Sequence, residues 1–390
     1  MALTRRRFAL GTAAAAIGAN AQPACAAFGD SPIVGTETFA VVAPFTGDQI
    51  RDGEQMANGV RQAIDDANLF RGSFDRAYVL RTFDDQNLLA TGLVNAQFAC
   101  DDPTVVSVIG HYSGRITEAA MRTYIDDKML VICPASSYDR LTAHGYGNIL
   151  RLVAKDSTEG RRAGEYVAKN SKAASAAVLT QDGDYGADVA DGFTEVMTAN
   201  KIKVTPIQFA WDKPKYDVAA TETLAAKPDV VYLAGILKDM GPMLSRLRSA
   251  GYSGPLYASQ GFFEAATVAK YAGSAEGLTV SSSMPPLAIA PGAFRIKSDF
   301  ERRYGALTPL SAFSYAATQI LITLVRRTGA QDRIGVLRSL TSSSTFQTVV
   351  GPITFQNDGD PQDVNVYFYR VTNGAWKYAG SALPSSFVAR

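Results

Sequence analysis

The segment Val105–Thr142 places two continuous apolar runs on either side of one helical stretch. The runs are VVSVIG (105–110) and LVIC (130–133). Apolar runs of this length, separated by a helix, indicate strands that are buried on both faces of a parallel sheet. The loops that follow the runs, His111–Arg115 and Pro134–Tyr138, lie at the sheet edge where parallel α/β proteins bind ligands. Both loops are rich in Gly and Ser, so we predict that they form one wall of a small-molecule site.

Strand and helix signals alternate along the chain after Thr36. Because 390 residues are too many for one ordinary core, we predict an α/β protein with two doubly wound parallel-sheet lobes. The helix-rich stretch Gly292–Leu340 lacks strands of its own, so we expect it to return and cover the first lobe. The other predicted strands are Phe39–Pro44, Tyr78–Phe83, Ala176–Thr180, Val204–Phe209, Val230–Ala234 and Leu256–Ser259, and the helices are Gly53–Asn68, Leu88–Cys100, Ser157–Asn170 and Ala187–Asn200.

Five short motifs carry a resemblance to a known family. They are VIGHYSG (108–114), PASS (134–137), LTAHGYGNILR (141–151), GSAEGL (273–278) and GPITFQNDGD (351–360). In this order they resemble the branched-chain amino-acid binding proteins of ABC importers. The resemblance implies a type I periplasmic binding protein, in which a multi-strand hinge joins two lobes that close around a small molecule. It also implies that the chain is a solute-binding component and not an enzyme.

The resemblance divides the mature chain between two lobes. Residues 33–154 and 286–349 are expected to form the first lobe, and residues 155–285 and 350–382 the second. The expected partners are a small-molecule ligand and an ABC permease in the inner membrane, and we expect a monomer. Two alternatives are a periplasmic sensor or regulator of the same fold and, less favoured, an exported enzyme.

The first 26 residues have the pattern of a twin-arginine export signal. Arg5 and Arg6 precede Phe8 and a weakly apolar run that ends at Ala24-Cys25-Ala26, which supplies a cleavage site. An ordinary secretory signal that contains arginines is the alternative, and either route predicts a periplasmic protein. The arginines at 5–7 contribute three charges to the net +1, so the remaining chain carries −2, which argues against nucleic acid binding.

The sequence lacks a recognisable catalytic or metal-binding motif. We find no G-x-S-x-G, H-E-x-x-H or P-loop, and too few clustered ligands for a metal site. His111 is interpreted as a residue that closes a strand end. Cys100 ends a predicted helix and Cys133 ends a strand at the opposite edge of the sheet, so we predict two unbridged thiols. We also expect no cofactor.

The resemblance places the ligand's anchoring groups in the first lobe on the two Gly/Ser loops. In the related proteins, hydroxyls and backbone amides from these loops hold a carboxylate. The anchoring serine of the family falls on Gly114, which keeps the N–H but has no hydroxyl, and Ser137 stands where a threonine is usual. Ser137 has a turn or helix-cap role as its alternative, and Arg115 a solvated role in the first turn of its helix. The predicted contacts here are Tyr112, Ser113, Gly114, Arg115, Ala135, Ser136 and Ser137.

The predicted contacts in the second lobe are Tyr185, Ile236 and Gln260. Tyr185 matches the tyrosine that packs on the ligand, and Ile236 replaces a frequent aromatic residue. Gln260 replaces the glutamate that pairs with the ligand's ammonium in the family. A neutral amide recovers only part of the cost of burying an ammonium, so we expect an organic acid or amide rather than a standard amino acid. Asp184 is the alternative source of the missing charge.

Overall fold

The structure is a computed structural model that describes residues 35–70, 76–181, 184–210, 215–286, 290, 292–329, 332–340 and 344–382. The predicted export signal lies outside these residues. Within them, no single helix is long and apolar enough to cross a membrane. The helices Ala293–Tyr304 and Pro309–Arg327 pass that test only as a pair, across a bend of 115°.

The first sheet has five parallel strands, and its three central strands are built from apolar runs. Its strands are β1 (Thr36–Ala43), β2 (Ala77–Asp84), β3 (Val105–Gly110), β4 (Leu130–Cys133) and β5 (Ile149–Arg151), in the order β2-β1-β3-β4-β5. The helices α1 (Ile50–Leu69), α2 (Leu89–Asp101) and α3 (Gly114–Asp126) connect them. The carboxyl ends of these strands therefore all lie at one edge.

Burial on both faces explains why the strands read as continuous apolar runs. In β1, Phe39 and Val41 pack in one core, while Ala40 and Val42 pack in another on the opposite face. All of β3 and β4 is buried in the same way. The interpretation of VVSVIG and LVIC as buried parallel strands is confirmed.

The second sheet begins with five strands that alternate with helices. These are α4 (Asp156–Asn170), β6 (Ser175–Gln181), α5 (Asp184–Ala199), β7 (Lys203–Phe209), α6 (Tyr216–Ala225), β8 (Val230–Ala234), α7 (Leu237–Ser249), β9 (Leu256–Ala258), α8 (Ala265–Ala275) and β10 (Thr279–Ser282). The short strands β5 and β10 were not predicted from the sequence. Each has only three or four residues, too few to show a periodic pattern.

The chain then returns to the first lobe, as expected. Helices α9 (Ala293–Tyr304), α10 (Pro309–Thr328) and α11 (Arg333–Ser339) follow, with a hairpin of β11 (Thr345–Thr348) and β12 (Gly351–Thr354). Ala316 and Ile320 of α10 lie in the same core as Phe39 and Val41. Ile353 and Phe355 also lie in that core. The boundary expected at residue 350 is therefore wrong, because the chain is still packed on the first lobe at Phe355.

Two final strands complete the second sheet. β13 (Val366–Thr372) pairs antiparallel with β10, and β14 (Ala375–Ala382) pairs antiparallel with β13. The order is β14-β13-β10-β9-β8-β6-β7, so the sheet is parallel except at this edge. The predicted parallel sheet of the second lobe thus has an antiparallel edge, since the last two strands arrive from the first lobe without a crossover helix.

Three segments cross between the sheets and lie against one another. The first crossing follows β5, and its Ala154 N–H donates to Ser283 Oγ of the second crossing at 3.2 Å. The third crossing meets the first where Arg151 N–H donates to Gly359 O at 2.9 Å. Gly359 has φ +87°, and a Cβ there would lie 2.0 Å from the carbonyl oxygen of Ile149. Only glycine therefore allows this close approach.

A buried ion pair fixes the third crossing to the first lobe. Arg151 is fully buried and its Nε donates to Asp360 Oδ1 at 2.9 Å. Lys155 also pairs with Asp360, and Thr142 Oγ1 donates to it at 2.9 Å. Charge-assisted hydrogen bonds of this kind fix orientation, so the three crossings form a defined hinge.

Candidate functional site

The carboxyl edges of the two sheets face each other. Asp48, in the loop after β1, pairs with Lys238 of α7 at 3.4 Å across the two lobes. Asp52 and Glu264 also approach from opposite lobes, since Asp52 contributes to the raised pKa of Glu264, behind the larger effect of burial. The space between these edges is a cleft with one wall from each lobe.

The first wall consists of the loops after β3 and β4. It contains seven of the residues predicted from the sequence: Tyr112, Ser113, Gly114, Arg115, Ala135, Ser136 and Ser137. Most of them are half-buried, whereas Ser136 is buried and Arg115 is exposed on the first turn of α3. The structure therefore brings both predicted loops to one edge.

Gly114 begins α3 in close contact with the loop after β4. A Cβ built on Gly114 would lie 2.4 Å from Ser136 Oγ and 2.5 Å from Tyr138 Cβ. A serine would therefore not fit without moving that loop. Ser113 precedes the helix and makes no side-chain cap hydrogen bond within the described chain. The backbone N–H groups at the start of α3 are consequently what this position offers an anion.

Ser137 lies against the second lobe's first helix. Its carbonyl oxygen accepts the N–H of Asp156 at 2.9 Å, and its hydroxyl hydrogen-bonds the Asp156 carboxyl, which lowers the pKa of that carboxyl. A hydroxyl that donates to Asp156 can only accept from a ligand at the same time. While Ser137 donates to Asp156, it cannot donate the same proton to a ligand carboxylate, which is the role that the sequence predicted.

His111 and Tyr112, at the start of the loop after β3, both bond to other side chains of the first lobe. His111 is fully buried, with Nδ1 2.8 Å from Asp85 Oδ2 and Nε2 2.9 Å from the hydroxyl of Tyr124. Its interpretation as a structural residue is confirmed. Tyr112 packs against the first core and hydrogen-bonds Asp52, and burial raises its pKa.

Two cysteines lie in the first lobe as free thiols. Cys100 and Cys133 are both buried and unbridged, as predicted. Cys133 donates to Gly110 O at 3.0 Å, just before the first-wall loop. Burial raises the pKa of each thiol to about 12.

The second wall consists of the start of α5 and the loops after β8 and β9. Tyr185 lies at the start of α5, Ile236 precedes α7, and Gln260 follows β9. All three are half-buried at the same sheet edge. The Tyr185 hydroxyl accepts the N–H of Gly261 at 3.3 Å, so it is already paired within its own lobe. The side chain of Asp184 is outside the described part of the structure.

Two buried carboxyls that sequence reasoning missed lie behind the second wall. Glu159 is 1% exposed, and its Oε1 accepts Gln260 N–H at 2.6 Å and Ser281 Oγ at 2.5 Å. Asp156 is 2% exposed. Within the described chain, Glu159 Oε2 and Asp156 Oδ1 are buried without a hydrogen-bond partner.

Burial makes both carboxyls unusually basic. It raises the pKa of Glu159 to about 7, although hydrogen bonds from Ser281, Gln260 and Tyr185 oppose the shift. It also raises the pKa of Asp156, and Glu159 and Asp139 add to the effect. The pattern D-x-x-E at the start of α4 is that of ordinary acids in the first turn of a helix, so sequence reasoning does not single out Asp156 and Glu159. Gln260 is therefore backed by a buried carboxyl, Glu159, that its own position in the sequence does not reveal.

The comparisons with known proteins agree with this architecture. The family described as periplasmic binding protein matches residues 36–375. The chain belongs to this family. An amino acid binding protein from Pseudomonas aeruginosa is 26% identical over 345 residues, which cover 85% of this chain and 90% of that protein. Family membership confirms the interpretation of the chain as a binding protein rather than an enzyme.

Solved structures show the same fold. A leucine binding protein from Thermotoga maritima has a TM-score of 0.80 at 20% identity, covering 90% of this chain and all of that one. A solute binding protein of an ABC transporter from Rhodopseudomonas palustris, in complex with 3,4-dihydroxybenzoic acid, has a TM-score of 0.78 at 17% identity. It covers 90% of this chain and 98% of that one. The predicted type I periplasmic binding fold is confirmed.

Proposed function

We propose that this chain is the periplasmic solute-binding component of an ABC importer. It captures a small molecule between its two walls and delivers it to a permease in the inner membrane. Support comes from the family, from the facing sheet edges and from the three-segment hinge, which suits closure of two lobes around a ligand. It is proposed to act as a monomer.

The ligand is proposed to carry a carboxylate that binds the first wall. The observation that carries this is the start of α3 at Gly114, because the first N–H groups of this helix have no side-chain cap among the described residues, and a Cβ at Gly114 would meet the loop after β4. Leucine and 3,4-dihydroxybenzoic acid, which are named with two of the similar structures, are both carboxylates. Ala135 and Ser137 provide a carbonyl and a hydroxyl beside this position.

Two ligand classes differ in the chemical group that they would place against the second wall. An organic acid or neutral amide suits the uncharged side chains of Gln260, Ile236 and Tyr185. An amino acid is the second candidate, because Glu159 and Asp156 provide buried carboxyls close to Gln260 and Ser137. We favour the first class because the unpartnered oxygens of both carboxyls are enclosed by protein and do not reach the cleft surface.

Mass spectrometry of small molecules released from natively purified protein tests both proposals. Calorimetry with leucine and with 3,4-dihydroxybenzoate then separates the classes. We expect a released carboxylate without an α-amine. Sub-micromolar binding of leucine, isoleucine or valine would refute the favoured class, and release of no small molecule with no binding in calorimetry would contradict solute binding itself.

Export and delivery need separate experiments. We propose that residues 1–26 are removed during twin-arginine export, and N-terminal sequencing of periplasmic protein checks this. Retention in the cytoplasm with an intact N-terminus would contradict it. Transport of the released solute by cells that lack this gene separates the importer from a sensor, since loss of a sensor leaves uptake by the permease intact.

A further inference from the structure

Three aspartates from separate parts of the chain converge at the junction of the lobes. Asp139 follows the first-wall loop, Asp156 begins α4, and Asp188 lies on α5, one turn after Tyr185. One carboxylate oxygen of each lies within 4.8 Å of the other two. Asp139 comes from the first lobe, whereas the other two come from helices of the second.

The distances suit one calcium ion. Ca²⁺ lies about 2.4 Å from its oxygen ligands, so two oxygens on one ion are at most about 4.8 Å apart. Carboxylate oxygens are the ligands that this hard cation prefers, and Ca²⁺ tolerates irregular arrangements of them. Mg²⁺ demands shorter distances and near-octahedral geometry, so it fits this cluster less well.

A second observation points to a cation here independently of the cluster. Asp156 is only 2% exposed, and its Oδ1 has no hydrogen-bond partner in the described chain. A buried carboxylate oxygen without a donor carries a large desolvation cost. One of its carboxylate oxygens lies within 4.8 Å of those of Asp139 and Asp188, and the charge of Asp139 adds repulsion to that cost.

The described basic side chains nearby pair with other acids, and Arg161 also donates to Ser157 Oγ at 3.2 Å. Arg151 and Lys155 pair with Asp360, and Arg161 pairs with Glu195. Asp139 accepts the N–H of Ser157 at 3.0 Å and its hydroxyl as well. These bonds orient Asp139 without supplying a positive charge.

We propose that Asp139, Asp156 and Asp188 together bind a calcium ion that joins the two lobes beside the cleft. The ion offsets the repulsion among the three carboxylates and supplies the partner that Asp156 Oδ1 lacks. Because it takes ligands from both lobes, it stabilises their association at the end of the cleft near Ser137 and Tyr185.

Titration of metal-stripped protein with Ca²⁺ in a calorimeter tests the proposal. We expect one site with a dissociation constant of about 10⁻⁵–10⁻³ M, the range of moderately charged oxygen sites. Terbium provides a second readout, since Tyr185 lies one helical turn from Asp188 and should sensitise its luminescence. Added Ca²⁺ should quench that signal and raise the melting temperature.

Asp188→Asn is the decisive variant, with Asp191→Asn as its matched control. Asp191 is exposed on the same helix and outside the cluster. We expect Asp188→Asn and Asp139→Asn to weaken Ca²⁺ binding at least tenfold and Asp191→Asn to leave it unchanged. Thermal melting in EDTA checks that each variant folds.

Three results would overturn the proposal. One is failure of the parent protein to bind Ca²⁺ or Tb³⁺ at millimolar concentration. Another is equal binding by the parent and Asp188→Asn. The third is leucine binding that Asp188→Asn weakens while Ca²⁺ does not bind, which would assign the carboxylates to a ligand ammonium. None of these results depends on whether the importer function is correct.

Discussion

The two walls of the cleft differ in where they place their polar groups. The first wall presents backbone N–H groups and small residues such as Gly114 and Ser137 at its surface. The second wall presents Tyr185, Ile236 and Gln260, and keeps Glu159 enclosed behind them. The difference teaches that similar strand-loop-helix elements can make one surface that attracts an anion and another that is backed by a buried carboxyl group.

The largest expected effect is on the pH dependence of stability, and it tests the buried carboxyl of Glu159 behind the second wall. The pKa of Glu159 is raised to about 7 from an ordinary 4.5, so its carboxyl is favoured in the protonated form in the folded protein. The contribution of Glu159 to the free energy of unfolding is fully present below pH 4.5 and is lost as the pH rises through about 7. The loss amounts to about 3 kcal/mol. Glu159→Gln should remove this part of the pH dependence.

Denaturant unfolding at pH 5 and pH 8, in EDTA, measures that effect. Glu165→Gln is the control, because Glu165 is exposed on the same helix. It should keep the parent's pH dependence. If Glu159→Gln loses as much stability as the parent between the two pH values, Glu159 is not the titrating group and the proposed asymmetry of the walls fails.

The next effect tests the close packing of the first wall. Gly114→Ala places a Cβ 2.4 Å from Ser136 Oγ, so we expect a loss of about 1–3 kcal/mol in the free energy of unfolding and weaker ligand binding. Gly147→Ala is the matched control, since a Cβ there meets nothing within 4 Å. Equal stability of the two variants in denaturant would show that the loop after β4 moves without cost.

A smaller effect is expected at Ser137, where the walls meet. Removal of its hydroxyl in Ser137→Ala leaves the Asp156 carboxyl with one hydrogen-bond partner fewer and removes one polar group beside the ligand. We expect the affinity for the released solute to fall by about 1–2 kcal/mol. Calorimetry measures this, and Ser113→Ala provides a control on the other loop of the same wall. Unchanged affinity in Ser137→Ala would show that Ser137 shapes the turn and does not bind the ligand.

The smallest effect concerns the thiols beneath the first wall. Because burial raises the pKa of Cys100 and Cys133 to about 12, both should react slowly with a thiol reagent in the folded protein. Both should be labelled in denaturant without prior reduction. A mature protein two hydrogens lighter under non-reducing conditions, or rapid native labelling, would contradict the free and buried state.

Much of the fold follows from local patterns. Runs such as VVSVIG and LVIC are apolar at every position because strands of a parallel sheet are buried on both faces, and this signal needs no partner to be visible. The helices α1, α2, α4 and α5 also begin and end within a few residues of their predicted bounds. Strand β5 and the antiparallel direction of β13 could not be assigned, because short strands and strand direction depend on partners far along the chain.

The sequence by itself determined that Gly114, Ser137, Tyr185 and Gln260 follow strands, and hence that they meet at sheet edges. Only the tertiary structure decided which acids stand behind them. Glu159 reaches Gln260 across 101 residues of sequence. Asp139, Asp156 and Asp188 likewise converge from three separate elements. Such partners are set by how helices pack on the sheets, and no local spacing records them, because burial and charge proximity arise only when the distant segments are brought together.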